Sequence, residues 1–482
     1  MIGAVAYAAR PLRLWFWVAA VIALGVAVAL PEQAQDAALG AAAATATVAS
    51  LIQPILAISL LLLAVPLGGL TRGASSDASS ELSFGAAELL MALLTLAWLS
   101  RGVRRREINV RAGGLVVAAL AMVGLAALSI AYAQDRASAI KESLKWLELL
   151  LGLVIVADLA GEVGAARWVI GAMLVAGAAE AAYGGAQFLT GSGPSAFELQ
   201  GALRAFGHFD QPNPFAGYLT TILPLSISMA LCRANPPPFR WLSLGASGLL
   251  ATGIGLSQSR GAWLGAAVAA ACLLLAWSSS TRRLVIPCGL GGALGVALAM
   301  TGLLPPAILD RLAQTVEYFG VFDVRSVQVT SENWAVVERM AHWQAGWYMF
   351  LDHPWLGVGA GNYAAAYADY FVGTWREALG HAHNYYLNIL AELGVVGGAL
   401  LVLLLGVAFT QFGGALVRSE GVRNDFWRAV LAGIFGGVVV FSMHNLFDSL
   451  FVHSVNVQLG VLLGLGLLAT DRVSTRMPGA TQ

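Results

Sequence analysis

Apolar runs near or above the ~18 residues needed to cross a hydrocarbon layer recur along almost the whole chain, and no other feature constrains its fold so strongly. In lipid every backbone N–H and C=O must find a partner within the protein, so runs of this kind joined by short polar connections predict helices throughout. Of 482 residues, 58% are hydrophobic and 11% are charged, against roughly 25% charged in soluble domains. The expected class is an all-α polytopic membrane protein, a bundle of about 12 to 13 transmembrane helices with a large helical periplasmic loop.

The runs place spans at about 12 to 30, 48 to 69, 84 to 100, 113 to 132, 146 to 160, 166 to 189, 214 to 232, 241 to 256, 261 to 278, 284 to 303, 384 to 411, 427 to 443 and 452 to 470. The first follows Arg10 and Arg13 and lacks a convincing cleavage site, which predicts a retained signal anchor. Arg101, Arg104, Arg105, Arg106 and Arg111 make 101–111 the most basic connection, and the positive-inside rule assigns it to the cytoplasm. Alternation then puts 191–213, 257–260, 304–383 and 444–451 together on the outer face, although thirteen spans would leave Arg10 and Arg13 outside, against the same rule. The expected organisation is 1–203 as N-terminal spans, 204–303 as spans carrying arginine motifs, 304–383 as a periplasmic loop domain and 384–482 as C-terminal spans.

Lys plus Arg and Asp plus Glu both number 27, and no polybasic cluster or aromatic–basic interleaving suggests nucleic acid, so nucleic-acid binding is not expected. Cys232, Cys272 and Cys288 show no paired spacing and read as small hydrophobes. Glu88, Glu148, Glu180 and Glu392 sit in apolar runs and would suit an ion path, but no matching pair of broken spans indicates a transporter's inverted repeat.

The polar side chains instead gather on one face. Arg204 precedes Gln211-Pro-Asn213, Arg260 closes the tight Ser257-Gln-Ser-Arg-Gly261 hairpin, Glu338-Arg339 with His342 lies in a helical stretch of the long loop, and His381-Ala-His383-Asn384 opens a span. Guanidinium forks hold phosphate bidentately and stay charged, so Arg204, Arg260 and Arg339 suit a diphosphate, while the His383 imidazole supplies a candidate base. A metal would need more ligands than an HxH pair, and no HExxH, DxD or cysteine cluster adjoins it, so neither a metal nor another cofactor is expected. His444-Asn-Leu-Phe-Asp448 and His453, between the last two spans on the same face, would either contact an acceptor or cap helices, and capping is the expected role.

The order Arg204-x-x-Gly207 with Pro212-Asn213, Ser257-x-Ser-Arg-Gly261, Glu338-Arg339-x-x-x-Trp343, His353-Pro354-x-x-Gly357-x-Gly359 and His383-Asn384-x-x-Leu387 with Glu392-x-Gly394 resembles the O-antigen ligase and polymerase superfamily. Those bacterial membrane enzymes act on undecaprenyl-diphosphate-linked glycans. The resemblance, which runs from about Arg204 to the C-terminus, implies a metal-independent glycosyltransferase of the inner membrane with its site on the periplasmic face. In that reading His383 is the general base, Arg204, Arg260 and Arg339 bind the donor diphosphate, and Asn213, His381, Asn384 and Glu392 support them. The partners would be the lipid-linked donor, the bilayer and a glycan or lipid A core acceptor. A polymerase or a protein O-oligosaccharyltransferase of the same superfamily would share these motifs. The extra N-terminal span and the second His-Asn pair at 444 depart from the family pattern.

Overall fold

The computed structural model of the protein describes residues 47–68, 85–199, 201–298, 322–330, 333–422 and 425–475. The expected span at 12–30 lies outside them.

The helices run α1 (Pro54–Ala64), α2 (Ala86–Arg105), α3 (Gly114–Ser129), α4 (Arg136–Leu159) and α5 (Val163–Thr190). A two-residue hairpin, β1 (Glu198–Leu199) with antiparallel β2 (Ala202–Leu203), carries the chain to α6 (Pro212–Leu231), α7 (Pro237–Ser257), α8 (Arg260–Trp277) and α9 (Val285–Leu298). The long loop contributes α10 (Trp334–Asp352) and α11 (Tyr363–Tyr370), after which α12 (Tyr385–Ala408), α13 (Phe426–His444) and α14 (Val455–Ser474) complete the bundle.

Seven described helices are long and apolar enough to cross a membrane: α2, α5, α6, α8, α13, α14, and α12 with its continuation to Arg418. Pro54–Leu67 and Gly114–Ser129 are apolar but shorter. The chain is an all-α polytopic membrane protein. One boundary differs instructively from expectation: α4 begins at Arg136, ten residues before the predicted span, because Asp135 caps it through the amides of Ala137 and Ser138. Its first turns carry Lys141, Glu142 and Lys145, which an apolar-run criterion passes over.

Small residues let the central helices approach. Side chains at Gly433, Gly436 or Gly437 of α13 would meet Leu225, Pro224 or Thr221 of α6, and side chains at Gly460 or Gly464 of α14 would meet the Leu149 or Leu153 carbonyl of α4. Lipid offers little hydrophobic drive for helices to associate, so close backbone packing of this kind carries much of the cohesion. One end of the bundle is tied by Arg101 to Asp158 at 3.2 Å and by Arg111 to Asp471.

At the opposite end α10 and α11 rest on the start of α12 through Ala345, Met349, Tyr363, Tyr367 and Ala382. The loop between α10 and α11 docks into a break in α12 at Gly394, whose φ of 63° and ψ of −163° are not helical. Val358 N donates to Ala391 O, Gly359 N to Glu392 O and Val395 N to Pro354 O, at 2.8–3.0 Å. Gly357, also at positive φ, faces the Glu392 backbone so closely that no side chain fits.

Candidate active site

His383 stands where the loop domain meets α12. Asn384 accepts a hydrogen bond from Leu387 N at 3.1 Å and so caps the helix, which leaves His383 at the last turn before it, with φ 52°. A non-glycine residue in this region costs on the order of 1–3 kcal/mol and persists only where its surroundings fix it. They do: the Trp343 indole donates to the His383 carbonyl at 3.3 Å, the His383 amide donates to His381 Nδ1 at 3.1 Å, and Asn388 receives the Ala382 amide at 3.0 Å.

Asp448 is the hub. His383 Nδ1 lies 3.4 Å from Asp448 Oδ1 and His381 Nε2 lies 3.9 Å from it, while Ser449 N donates to that oxygen at 2.9 Å. The other carboxylate oxygen accepts from Asn213 Nδ2 at 2.8 Å, and Asn213 Oδ1 accepts from Arg204 Nη2 at 3.1 Å. Arg204 Nε also donates to the Ser257 carbonyl at 2.8 Å, which ties it to the hairpin that ends in Arg260. Burial opposes the charge of Asp448, but the His383 hydrogen bond and the charges of His383, His381 and Arg339 outweigh it and hold its carboxyl far below the usual range. A carboxylate at Nδ1 orients the imidazole with its proton on that atom and leaves Nε2 to accept one.

Arg204, Asn213, Asp448, His383 and His381 thus form one connected chain. Arg260 starts α8 beside His444, since a side chain on the neighbouring Gly261 would lie 3.8 Å from the His444 ring. His342 packs 4.8 Å from Tyr367 and edge-on to His383 at 5.5 Å between ring centroids. Its Nδ1 lies 3.2 Å from the Tyr363 hydroxyl, which donates at 2.8 Å to the His342 carbonyl, so Nδ1 carries the proton of a neutral ring. Burial first, and the nearby His383 second, lower the His342 pKa to about 4. The same two causes, in the same order, take His381 to about 3.

Two residues stand elsewhere than expected. Glu392 makes no hydrogen bond to the histidines; it accepts from Gly361 N at 2.8 Å and Tyr363 N at 3.2 Å, so it pins the docked loop. Asp448, read from the sequence as a cap, is the carboxylate on which the histidines converge; no local motif marks it, only its place on the same outer connection. It also supplies a further ligand of the kind that no motif beside the HxH pair offers. His381, His383 and Asp448 each offer a ligand atom, all within 4.8 Å of one another, a donor set that suits a divalent ion as well as a His–Asp pair.

A bundle of membrane-crossing helices with a carboxylate-backed histidine pair and an arginine line at one end defines a class: a multi-pass membrane protein with a polar cluster at one end of its helices. Residues 245–402 match the family model described as O-antigen ligase, so over that stretch the chain is similar to the O-antigen ligase family. No curated protein matches the chain. The matched region holds Arg260, Arg339, His381, His383 and Glu392; Arg204 and Asp448 fall outside it.

Proposed function

We propose that the protein is an O-antigen ligase-like glycosyltransferase, which moves a glycan from undecaprenyl diphosphate to an acceptor hydroxyl such as one on lipid A core. The observation that supports this reading is the hydrogen-bonded chain Arg204–Asn213–Asp448–His383, which joins a guanidinium to a carboxylate-backed imidazole. His383 Nε2 takes the proton from the acceptor hydroxyl as its oxygen attacks the anomeric carbon. The bond from that carbon to the diphosphate oxygen breaks, the configuration inverts, and the departing diphosphate is received by Arg204, Arg260 and Arg339. Arg204 also holds Ser257 and Asn213, so it positions the hairpin as well as the anion.

In this reading the histidine end of the bundle faces the periplasm and the Arg101–Arg111 end the cytoplasm of the inner membrane. A polymerase or a protein O-oligosaccharyltransferase would use the same base and arginines, and only the acceptor differs. The test is transfer in vitro from an undecaprenyl-diphosphate glycan, with and without EDTA, to lipid A core, a second lipid-linked repeat or a protein acceptor. His383→Ala should lose about 10²- to 10⁴-fold, the usual worth of a general base. Full activity in that variant removes the base, and loss of wild-type activity in EDTA turns the His–His–Asp cluster into a metal site.

A further inference from the structure

A second polar space adjoins the histidines on the side away from the arginine motifs. It is a cavity of about 310 Å³ between the first turns of α4, the start of α12 and the connection from α13 to α14, and His381 forms part of its wall. Its size falls at the small end of small-molecule sites, about 300–1,000 Å³, which suits a single sugar ring better than a long glycan. Arg204 follows β2, Asn213 lies on α6 and Arg260 opens α8, whereas the cavity lies on α4 and α12, with Asp448 and the two histidines between them.

The lining is unusual for a membrane bundle. Lys141 and Lys145 face the space with Glu88, Glu142, Glu148 and Glu392. Some of these groups have structural work: Lys145 pairs with Glu142 at 2.6 Å, and Glu148 accepts from Asn456 at 2.7 Å. Tyr385 does not fit that account. It lines the cavity, stacks on Phe451 at 5.4 Å between centroids and is 2% exposed, yet its hydroxyl has no hydrogen-bond partner among the described residues. Buried hydroxyls are nearly always bonded, so an orphan on the wall of a polar cavity points to a ligand that completes it.

We propose that this cavity is the acceptor subsite and that it holds a neutral or amino sugar, a reading that rests on the glycosyl transfer above. Alternating carboxylates, ammonium groups and the Asn388 amide next to the aromatic face of Phe451 match a polyol, whose hydroxyls both donate and accept. Glu88, Glu142 and Glu148 against two lysines disfavour a phosphorylated or acidic sugar. The His381 and His383 rings are 4.5 Å apart between centroids, so a saccharide seated against His381 directs its next hydroxyl toward the base. This also gives the paired histidine a use: His381 is a positioning residue at the boundary between subsite and base.

The experiment is saturation-transfer NMR on the full chain in detergent, with glucose, glucosamine and glucose 6-phosphate as probes, alongside transfer kinetics. Glucose and glucosamine should bind and compete, and glucose 6-phosphate should bind more weakly than either. Tyr385→Phe should weaken glucose about three- to tenfold, the worth of one hydrogen bond, and raise the acceptor KM by the same factor while kcat and the donor KM hold. Its Tm should not fall, because the hydroxyl it removes bonds nothing in the fold; a structural role would lower it. Lys141→Met supplies a second variant on the same wall and should likewise weaken the sugar. Transfer without any sugar binding, glucose 6-phosphate bound as tightly as glucose, or binding unchanged in both variants overturns the cavity assignment alone. Sugar binding in a chain that transfers no glycan overturns the acceptor role together with the transferase reading.

Discussion

At the scale of single residues, the decisive contact is the one between His383 and Asp448. If Asp448 orients the ring, Asp448→Asn should lower kcat by about 10- to 100-fold with little change in donor KM, as outer partners of functional histidines do. Combined with His383→Ala it should add nothing further, because both changes remove one unit; additive losses in that double variant would separate the two residues. His342 makes a second, independent prediction. Its pKa is about 4 in the fold against ~6.5 in an unfolded chain, so between those values the unfolded state binds more protons and stability must fall as pH drops through that window. Asp448 works below it: its depressed carboxyl contributes stability that is present above ~3.9 and lost as pH falls further. Thermal unfolding in detergent from pH 7 to pH 4 should show the first decline, and His342→Gln should flatten it.

At the scale of elements, glycine decides how near the helices come. Gly460→Leu would drive a side chain into the Leu149 carbonyl and should destabilise the α4–α14 pair by about 1–3 kcal/mol, the usual cost of overpacking. Gly406→Leu, at a position with open space around it, should leave the melting temperature within a degree or two of wild type. Equal effects of the two substitutions would show that approach at Gly460 is not what holds these helices. The same reasoning explains the motifs that carry no chemistry. Gly357, Gly394 and Glu392 belong to the docking of the α10–α11 loop onto α12, and they act on His383 only by fixing the platform on which it sits. A helical period anticipates α10 as an element but not α11, and the break at Gly394 is visible only as a glycine within an apolar run.

At the scale of the whole molecule, the polar groups divide between two ends. Arg101, Asp158, Arg111 and Asp471 tie one, and Arg204, His381, His383 and Asp448 occupy the other. Single cysteines at exposed Arg105 and Leu379 should label from opposite sides of the intact membrane, the first from the cytoplasm and the second from the periplasm; labelling from one side would overturn the topology. The helical class, most span positions and the clustering of Arg204, Arg260, Arg339 and His383 toward one face were legible from the chain alone. Hydrophobic periodicity and the positive-inside rule are local, additive signals that survive without coordinates. What the sequence could not rank was which residues on that face touch. Asp448 became the partner of His383, Glu392 became a structural pin, and Lys141, Glu142 and Tyr385 came to line one cavity, because each outcome depends on the close approach of helices far apart in the chain. By itself the sequence determined that the polar side chains must leave the lipid, since burying them unpaired costs too much. Which of them then met was decided only by the tertiary structure, through backbone approaches that glycines on α13 and α14 permit.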